Sequence, residues 1–304
     1  MEKRNRLVAS FPDRFLDFIV YFVILLVTIG TIYPFLNVLA ISLNDSTDTV
    51  RGGITIFPRQ FTLENYLQIL SFTGLITGFK ISVLRTLIGT ILGLISSSML
   101  AYVLSRSEFE GRKFISTYLA LTMYVSGGLI PFYLLMRDLN LLGTFAVYVL
   151  PGMVSAFNVF VIRSFIDGLP YALQESARID GANDFTIYWR IILPLTTPAL
   201  ATIALFLAVG QWNSWFDTYL YNGSNKHLTT LQYELMKVLQ STQAGGGSGS
   251  GNVNGRTMNE VMNQVSPESI KMAITIIVTV PILLIYPFLQ RYFVKGMTLG
   301  AVKS

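Results

Sequence analysis

Long apolar runs separated by shorter polar stretches dominate the chain. A helix that crosses a bilayer needs about 20 mainly apolar residues, because the hydrocarbon core is about 30 Å thick. Six segments meet this requirement, namely residues 15–43, 76–104, 114–136, 141–166, 192–220 and 270–293. The pattern therefore predicts an all-α membrane protein with six transmembrane helices.

The first apolar run follows a basic stretch, an arrangement that also occurs in secretory signal peptides. A signal peptide has an apolar core of only about 7–15 residues and then a small-residue cleavage site. The run at 15–43 is longer, so we interpret it as a retained membrane helix. Small residues within other runs, such as Ser96 to Ser98 and Gly127 with Gly128, predict close packing of helices and partner helices in lipid.

Composition agrees with a membrane location. The 304 residues are 52% hydrophobic and only 13% charged, whereas about 25% of the residues in soluble domains are charged. The net charge of +5 does not indicate nucleic-acid binding, because the basic residues lie in small groups between the apolar runs and form no basic stripe.

The distribution of lysine and arginine predicts the orientation in the membrane, because cytoplasmic loops are enriched in these residues. With the N-terminus inside, 13 of the 22 basic residues fall in cytoplasmic segments. We therefore expect cytoplasmic termini at 1–14 and 294–304 and a transmembrane domain at 15–293. The long loops at about 44–75 and 221–269 are then external, and the segment at about 167–191 is cytoplasmic.

Missing residue types exclude several kinds of chemistry. The chain has no cysteine and a single histidine, His227, so thiolate catalysis and Cys- or His-based zinc clusters are excluded. A serine hydrolase would depend on His227 in the external loop, and no Gly-x-Ser-x-Gly motif is present. The Gly/Ser tract around Gly245 lacks the Gly-Lys-Ser/Thr of a phosphate-binding loop and is expected to be flexible. We expect no catalytic site, metal or bound cofactor in this chain.

The cytoplasmic segment between the fourth and fifth spans has helix signals of its own. Pro170 suits a first helical turn, residues 171–179 are compatible with a helix, and Gly181 can end it in a left-handed conformation. A second helix is predicted at about 184–190 with Asp184 as its cap. This helix–turn–helix unit fits two interpretations from spacing alone, a knob for a rigid socket or an amphipathic helix resting on lipid headgroups.

The same segment closely resembles the EAA signature of ABC-importer permeases. The match covers residues 175–182, then Ile192 to Leu195 and Pro198, and it departs from the signature at Ser176, where alanine is usual. The exchange of one small residue for another leaves the match intact.

The resemblance extends over essentially the whole chain and is to the carbohydrate-import branch, in particular the second maltose permease. It rests on these stretches: residues 33–35, 57–58, 61–66, 101–106 and 212–213. The ending at 291–301 is similar to a subgroup that contains the LplC and YtcP permeases and importers of polysaccharide fragments.

This resemblance implies a type I ABC-importer permease fold and a non-catalytic transport subunit of the bacterial cytoplasmic membrane. The implied partners are a second homologous permease, two cytoplasmic ATPase subunits that bind ATP and magnesium, an extracytoplasmic sugar-binding protein and membrane lipid. A coupling helix would dock in an ATPase cleft, with Glu175 as anchor, Ala177 packed in the cleft and Gly181 permitting the turn. The residues implied in coupling are Glu175, Ser176, Ala177, Asp180, Gly181, Ala182 and Pro194.

Polar and aromatic residues at predicted membrane depth are candidates for the substrate pathway, because aromatic faces stack on sugar rings and amides bond to hydroxyls. An aromatic belt at the membrane interface explains several of them equally well. A peptide or amino acid is an alternative cargo, and in related maltose importers the sugar is held mostly by the other permease. The candidates are Tyr124, Asn158, Gln211, Trp212, Asn213, Trp215 and Asp217.

Overall fold

The computed structural model describes residues 11–70, 72–243 and 266–301, and these residues are mostly helical. Two 3-10 turns, Phe145–Tyr148 and Leu150–Gly152, precede α7, and a π-helical turn, Tyr188–Ile192, follows α9. The α-helices are α1 (Phe11–Ser42), α2 (Ser46–Thr49), α3 (Glu64–Leu70), α4 (Thr73–Ser105), α5 (Arg112–Tyr124), α6 (Leu129–Asp138), α7 (Ala156–Asp167), α8 (Ala172–Ile179), α9 (Asp184–Ile187), α10 (Leu193–Leu195), α11 (Thr197–Asn213), α12 (Phe216–Asn222), α13 (Leu231–Gln243) and α14 (Pro267–Ala301).

The chain forms two compact units. Within the described residues, the smaller unit consists of 11–70 and 266–276, which hold α1 to α3 and the start of α14. The larger unit consists of 72–243 and 277–301, which hold α4 to α13 and the rest of α14.

Helix α1 leaves its apolar surface exposed over residues 15–36, and only its last turns, with Ala40 and Ile41, are buried. Every residue from 15 to 36 is exposed, including Phe18, Phe22 and Leu26. A helix that is apolar all round is stable only in an apolar environment. Its surroundings are therefore lipid or another subunit.

The loop after α1 is ordered around the buried side chain of Asn44. The Asn44 amide oxygen accepts hydrogen bonds from the backbone N–H groups of Arg59, at 2.8 Å, and Gln60, at 2.9 Å. Its amide nitrogen donates to Asp48 at 3.1 Å, and Arg59 pairs with the same carboxylate at 2.9 Å. The loop thus has its own polar core, and Asn44 at its start holds the two ends of the loop together.

Helix α4 lies at the centre of the larger unit, where it packs against α7, α11 and α13. The apolar core at its C-terminal half includes Leu104, Val159, Ile162 and Ile203, all with no accessible surface. The indole N–H of Trp212 donates to the backbone oxygen of Val278 at 3.1 Å and joins α11 to α14. These contacts make one helical bundle of the larger unit.

The six continuous spans predicted from hydropathy are not confirmed. By length and composition, three helical stretches of the described residues can cross a membrane, namely Phe15–Ser42, Gly74–Ser105 and Pro267–Ile285. Two bent pairs raise the number to five if each pair forms one span: Phe145–Gly152 with Ala156–Asp167, bent by 47°, and Asp184–Leu195 with Thr197–Asn213, bent by 81°.

The predicted third span, 114–136, is divided into α5 and α6. The break contains Gly128, whose φ of +87° lies in the left-handed region that glycine adopts without strain. Pro131 is in the first turn of α6, where its missing N–H costs no helical hydrogen bond. The predicted fifth span also ends early, because α11 stops at Asn213 and α12 starts after Trp215.

The predicted external loop at 221–269 contains more structure than expected. Helix α13 lies within it and is tied to α4, because the backbone N–H of Leu231 donates to the Ser82 hydroxyl at 2.9 Å. The Gly/Ser tract around Gly245, most of the 1–14 terminus and residues 302–304 lie outside the described residues.

Candidate functional site

We call residues 170–187 the EAA segment, which comprises α8, a tight turn and α9. Gly181 has a φ of +81°, as predicted from its position after α8. Its N–H donates to the Arg178 carbonyl at 3.0 Å, and the N–H of Ala182 donates to the Ala177 carbonyl at 2.9 Å. These bonds cap α8 and reverse the chain.

Asn183, and not Asp184, caps the N-terminus of α9. The Asn183 side-chain oxygen accepts the N–H of Thr186 at 2.8 Å, so the predicted capping role of Asp184 is wrong. The Asp184 carboxylate instead pairs with two arginines, Arg106 and Arg178, each at 3.3 Å. A cap at Asn183 leaves the next carboxylate available for these ion pairs.

One face of the EAA segment is buried in the chain's own core. Gln174 and Ala177 are buried, and Ala182 packs against the same apolar cluster. Ala177, which the resemblance places in the cleft of a partner, therefore packs within this chain. Its small side chain lets α8 approach the core closely.

The opposite face of the EAA segment is exposed. Glu175, Ser176 and Asp180 are all exposed, and their role in contact with a partner stays a prediction. Ile179 is 86% exposed and Phe185 is 65% exposed. Apolar side chains with this exposure at the tip of a polar segment favour a binding surface.

An arginine at the end of α4 holds the EAA segment on the membrane helices. The buried guanidinium of Arg106 donates to the Gln174 side chain and to Asp184. It lies over the Tyr102 ring, 4.3 Å from its centroid, and the Tyr102 hydroxyl donates to the Asp184 carbonyl at 3.2 Å. Burial lowers the pKa of Arg106, and the carboxylate of Asp184 partly offsets that effect.

Glu108, in the loop after α4, forms a second attachment. It accepts two hydrogen bonds from Arg178, at 2.6 and 2.9 Å, and one from the Tyr171 hydroxyl at 2.8 Å. The Arg178 bond first, and then the Tyr171 bond, lower the pKa of Glu108 from 4.5 to about 2. Glu108 therefore stays ionised at all physiological pH values.

The roles of Arg106 and Glu108 were not predicted from the sequence. Arg106 lies 68 residues before Gln174 and Glu108 lies 70 residues before Arg178, so only the fold brings them together. The available signal was an arginine directly after a long apolar run, followed two residues later by a glutamate.

The EAA segment leads directly into a sharp bend. After α9 the chain forms the π-helical turn and α10, and it then bends by 81° into α11. Pro194 lies in α10 and lacks the N–H that would continue the helical hydrogen bonds. The Thr197 hydroxyl donates to the Pro194 carbonyl at 2.7 Å and satisfies that group at the bend.

A second cluster joins α4, α11 and α12 through Arg85, which is 2% exposed. Its guanidinium forms two hydrogen bonds to Asp217, at 3.2 and 2.5 Å, and one to the Gln211 side chain at 3.1 Å. The ring of Tyr148 lies 4.5 Å away. Gln211 and Asp217 were predicted as pathway residues, whereas Arg85 was missed, although an arginine within an apolar run signals a buried partner.

The remaining pathway candidates do not join this cluster. Trp212 is buried with its N–H bonded to Val278, so its ring is not free to stack on a sugar. Asn213 accepts a hydrogen bond from Gln232 at 3.1 Å, and Trp215 contacts the rings of Phe216 and Tyr219. Tyr124 is 88% exposed at the end of α5, and Asn158 is buried in α7.

His227 lies exposed in the turn before α13, with its backbone N–H bonded to the Asn225 side chain at 3.1 Å. Across residues 11–70, 72–243 and 266–301, no group of three potential metal ligands comes together.

Residues 89–299 match the family of binding-protein-dependent transport system inner membrane components. The chain belongs to this family. It is therefore a multi-pass membrane component of an ABC transport system. The matched region contains the whole EAA segment and the residues around Arg85, namely Tyr148, Gln211 and Asp217, but it starts four residues after Arg85 itself.

Curated relatives match over nearly their full lengths. The polygalacturonan/rhamnogalacturonan transport system permease protein YtcP of Bacillus subtilis is 36% identical over 96% of this chain and 99% of its own. Protein LplC of the same organism is 38% identical over 90% of each chain. The arabinooligosaccharides transport system permease protein AraQ of Halalkalibacterium halodurans is 31% identical over 90% of this chain and 91% of its own.

Solved structures share the fold. A chain of a bacterial ABC transporter involved in the import of the acidic polysaccharide alginate superposes with a TM-score of 0.82. It is 26% identical, and the match covers 93% of this chain and 98% of that chain.

Proposed function

We propose that this chain is the permease subunit of an ATP-driven, binding-protein-dependent importer of an oligosaccharide or polysaccharide fragment. The family and the full-length relatives support this function. YtcP is named for polygalacturonan and rhamnogalacturonan transport and AraQ for arabinooligosaccharide transport, and the structural neighbour belongs to an ABC transporter involved in alginate import.

The exposed tip of the EAA segment is the observation that carries the coupling part of the proposal. The segment is fixed to α4 by Arg106 and Glu108, while Ile179 projects from it with 86% exposure. A rigid base with an exposed apolar tip suits docking to a partner better than a helix lying on lipid headgroups, which would bury its apolar side in the membrane. We assign the partner as a cytoplasmic ATPase subunit that binds ATP and magnesium.

Movement of the EAA segment would reach the membrane helices by two routes. The Arg106 and Glu108 contacts lead to α4, and the continuous path through α9 and the bend leads to α11. Helices α4 and α11 pack against each other and share the Arg85 cluster. ATP-driven closure of the partners would then favour one of two arrangements of these helices, which is the requirement for alternating access.

The proposal includes a second homologous permease, two ATPase subunits and an extracytoplasmic sugar-binding protein. It places both chain termini in the cytoplasm, so that the EAA segment faces the ATPases and the loop around Asn44 faces the binding protein. The extensively exposed surface of α1 is available to the second permease or to lipid.

The proposal is tested by purifying the tagged chain in mild detergent and identifying its partners by mass spectrometry. A second permease and an ATPase are expected to co-purify with the native chain. Ile179→Glu should remove most of the ATPase, because a buried contact would have to accept a charge. Phe57→Glu makes the same kind of change at an 80% exposed residue of the external loop and should retain the ATPase.

The two variants separate docking from general damage. Loss of the ATPase from both Ile179→Glu and Phe57→Glu would indicate misfolding. The amount of second permease that co-purifies with each variant is an independent measure of correct folding. Full retention of the ATPase by Ile179→Glu would contradict the docking role, and purification of the native chain without any ATPase would contradict the importer itself.

A further inference from the structure

A cavity with mainly polar and charged lining residues lies between the loop after α4, the first turns of α5 and the end of α7. Its volume is about 820 Å³, which is large enough for a small polar group with space around it. We call it the basic cavity, and the side chains that matter for its chemistry are Glu110, Arg112, Lys113, Ser116, Thr117 and Arg163.

The basic cavity carries an excess of positive charge, with three cationic side chains and one carboxylate in its lining. Arg163 is held in place by the Ser116 hydroxyl, at 2.8 Å, and by Asp167, at 3.3 Å. Within the part of the chain that the structure describes, neither Arg112 nor Lys113 has an acidic partner within 4.0 Å. Two cations therefore remain available to a bound anion.

The position of these cations on α5 is unfavourable without such an anion. Arg112 and Lys113 are the first two residues of α5, and Gly111 before them offers no side-chain cap. The positive end of the helix dipole and two cations thus lie together, an arrangement that destabilises a helix start. A phosphate would relieve both effects and accept hydrogen bonds from the cavity's hydroxyls and guanidinium groups.

The surface next to the cavity indicates where the phosphate comes from. Phe114, Tyr118 and Leu121 follow on α5 with helical spacing and are 78%, 62% and 54% exposed. They form one apolar stripe that runs from the cavity along the helix. An ion from solution would leave this stripe unused, whereas acyl chains below a headgroup would cover it.

We propose that the basic cavity binds the phosphate headgroup of an anionic phospholipid, with its acyl chains along the Phe114 stripe. Basic pockets between transmembrane helices are suited to such headgroups, because the cations gain a partner without leaving the membrane surface. This site requires that the chain spans a membrane and that α5 starts at the membrane surface, so it is independent of the proposed cargo and of ATPase docking.

The test is native mass spectrometry of the purified, delipidated complex titrated with phosphatidylglycerol or phosphatidylcholine. Phosphatidylglycerol should bind more tightly to the native chain. Lys113→Gln and Arg163→Gln should each weaken its binding about fivefold, and both together by roughly the product. Lys113 is exposed and has no salt-bridge partner among the residues that the structure describes, so this variant keeps the test valid if Arg163→Gln disturbs packing.

Arg137→Gln is the matched control, because it removes an exposed arginine of α6 outside the cavity and should leave lipid binding unchanged. Equal binding of the two lipids, or an equal loss in the control, would overturn the proposal. Displacement of the lipid by millimolar inorganic phosphate would assign the cavity to a soluble anion instead. Loss of the ATPase from Lys113→Gln with unchanged lipid binding would assign it to a protein interface and also overturn the proposal.

Discussion

At the scale of single residues, the attachment of the EAA segment depends on charged groups whose environment is unusual. Arg106 is buried and donates to Gln174 and Asp184, and Glu108 accepts three hydrogen bonds. Removal of either group breaks one ion pair while the Arg178–Asp184 pair remains, and the cost is greater at Arg106 because this side chain is buried. Arg106 therefore provides the buried attachment of the EAA segment, and Glu108 provides a half-exposed second attachment.

The contribution of Glu108 to stability has a predictable pH dependence. Its pKa falls from 4.5 to about 2 on folding, so its stabilising effect is complete above pH 4.5 and is lost as the pH drops towards 2. The native chain should unfold at a temperature roughly 2 °C higher than Glu108→Gln between pH 7 and 5, since solvent screens this half-exposed pair. The difference should disappear as the pH approaches 2.

The measurement is the apparent unfolding temperature of both proteins across that pH range. Glu175→Gln serves as control, because it changes an exposed carboxyl of α8, the helix that contains the Glu108 partner Arg178, and should give a small difference at every pH. If Glu108→Gln and the native chain unfold at the same temperature between pH 7 and 5, the ion pair is not formed in solution.

At the scale of elements, the turn between α8 and α9 was predictable and the span breaks were not. Gly181 follows a run of helix formers and precedes a cap, a local signal that the structure confirms. The breaks at 125–128 and at Thr196 lie within apolar runs, where hydropathy does not distinguish a straight helix from a bent one. Gly128, Pro131 and Pro194 permit these bends, but glycine and proline also occur within continuous membrane helices, so their presence alone does not predict a break.

The Gly181 turn yields a prediction about the two helices that it joins. A Cβ at this position would meet no atom within 4 Å, so the cost of a side chain comes from the left-handed backbone, roughly 1 kcal/mol. Gly181→Asn should be tolerated, because asparagine adopts this conformation, whereas Gly181→Leu should lower the unfolding temperature by about 2–4 °C.

Thermal unfolding and co-purification of the ATPase should be measured together for both variants. Gly181→Leu is expected to lose ATPase as α8 and α9 separate, while Gly181→Asn keeps it. Equal behaviour of the two variants would mean that the turn conformation does not control docking.

At the scale of the whole molecule, sequence patterns predicted the class and the location of the EAA segment, but not its connections. A helical membrane permease follows from six apolar runs and one ordered motif, both of which are continuous in sequence. The links from Arg106 to Gln174 and from Arg85 to Asp217 join residues 68 and 132 positions apart. Such contacts exist only after the helices pack, and Arg85 was therefore missed.

The Arg85–Asp217 pair gives the last prediction, which concerns both folding and cargo. Asp217→Asn leaves a buried arginine without its counter-ion and should destabilise the chain by about 3–5 kcal/mol, whereas Arg85→Leu with Asp217→Leu should recover most of that loss.

Since the pair is internally neutral, the double variant should change the transport of acidic and neutral oligosaccharides by the same factor. Unfolding in detergent and binding-protein-stimulated ATP hydrolysis in proteoliposomes measure the two effects. A change in the acidic-to-neutral ratio of more than about tenfold, equivalent to 1.4 kcal/mol, would instead place Arg85 or Asp217 in direct contact with the cargo.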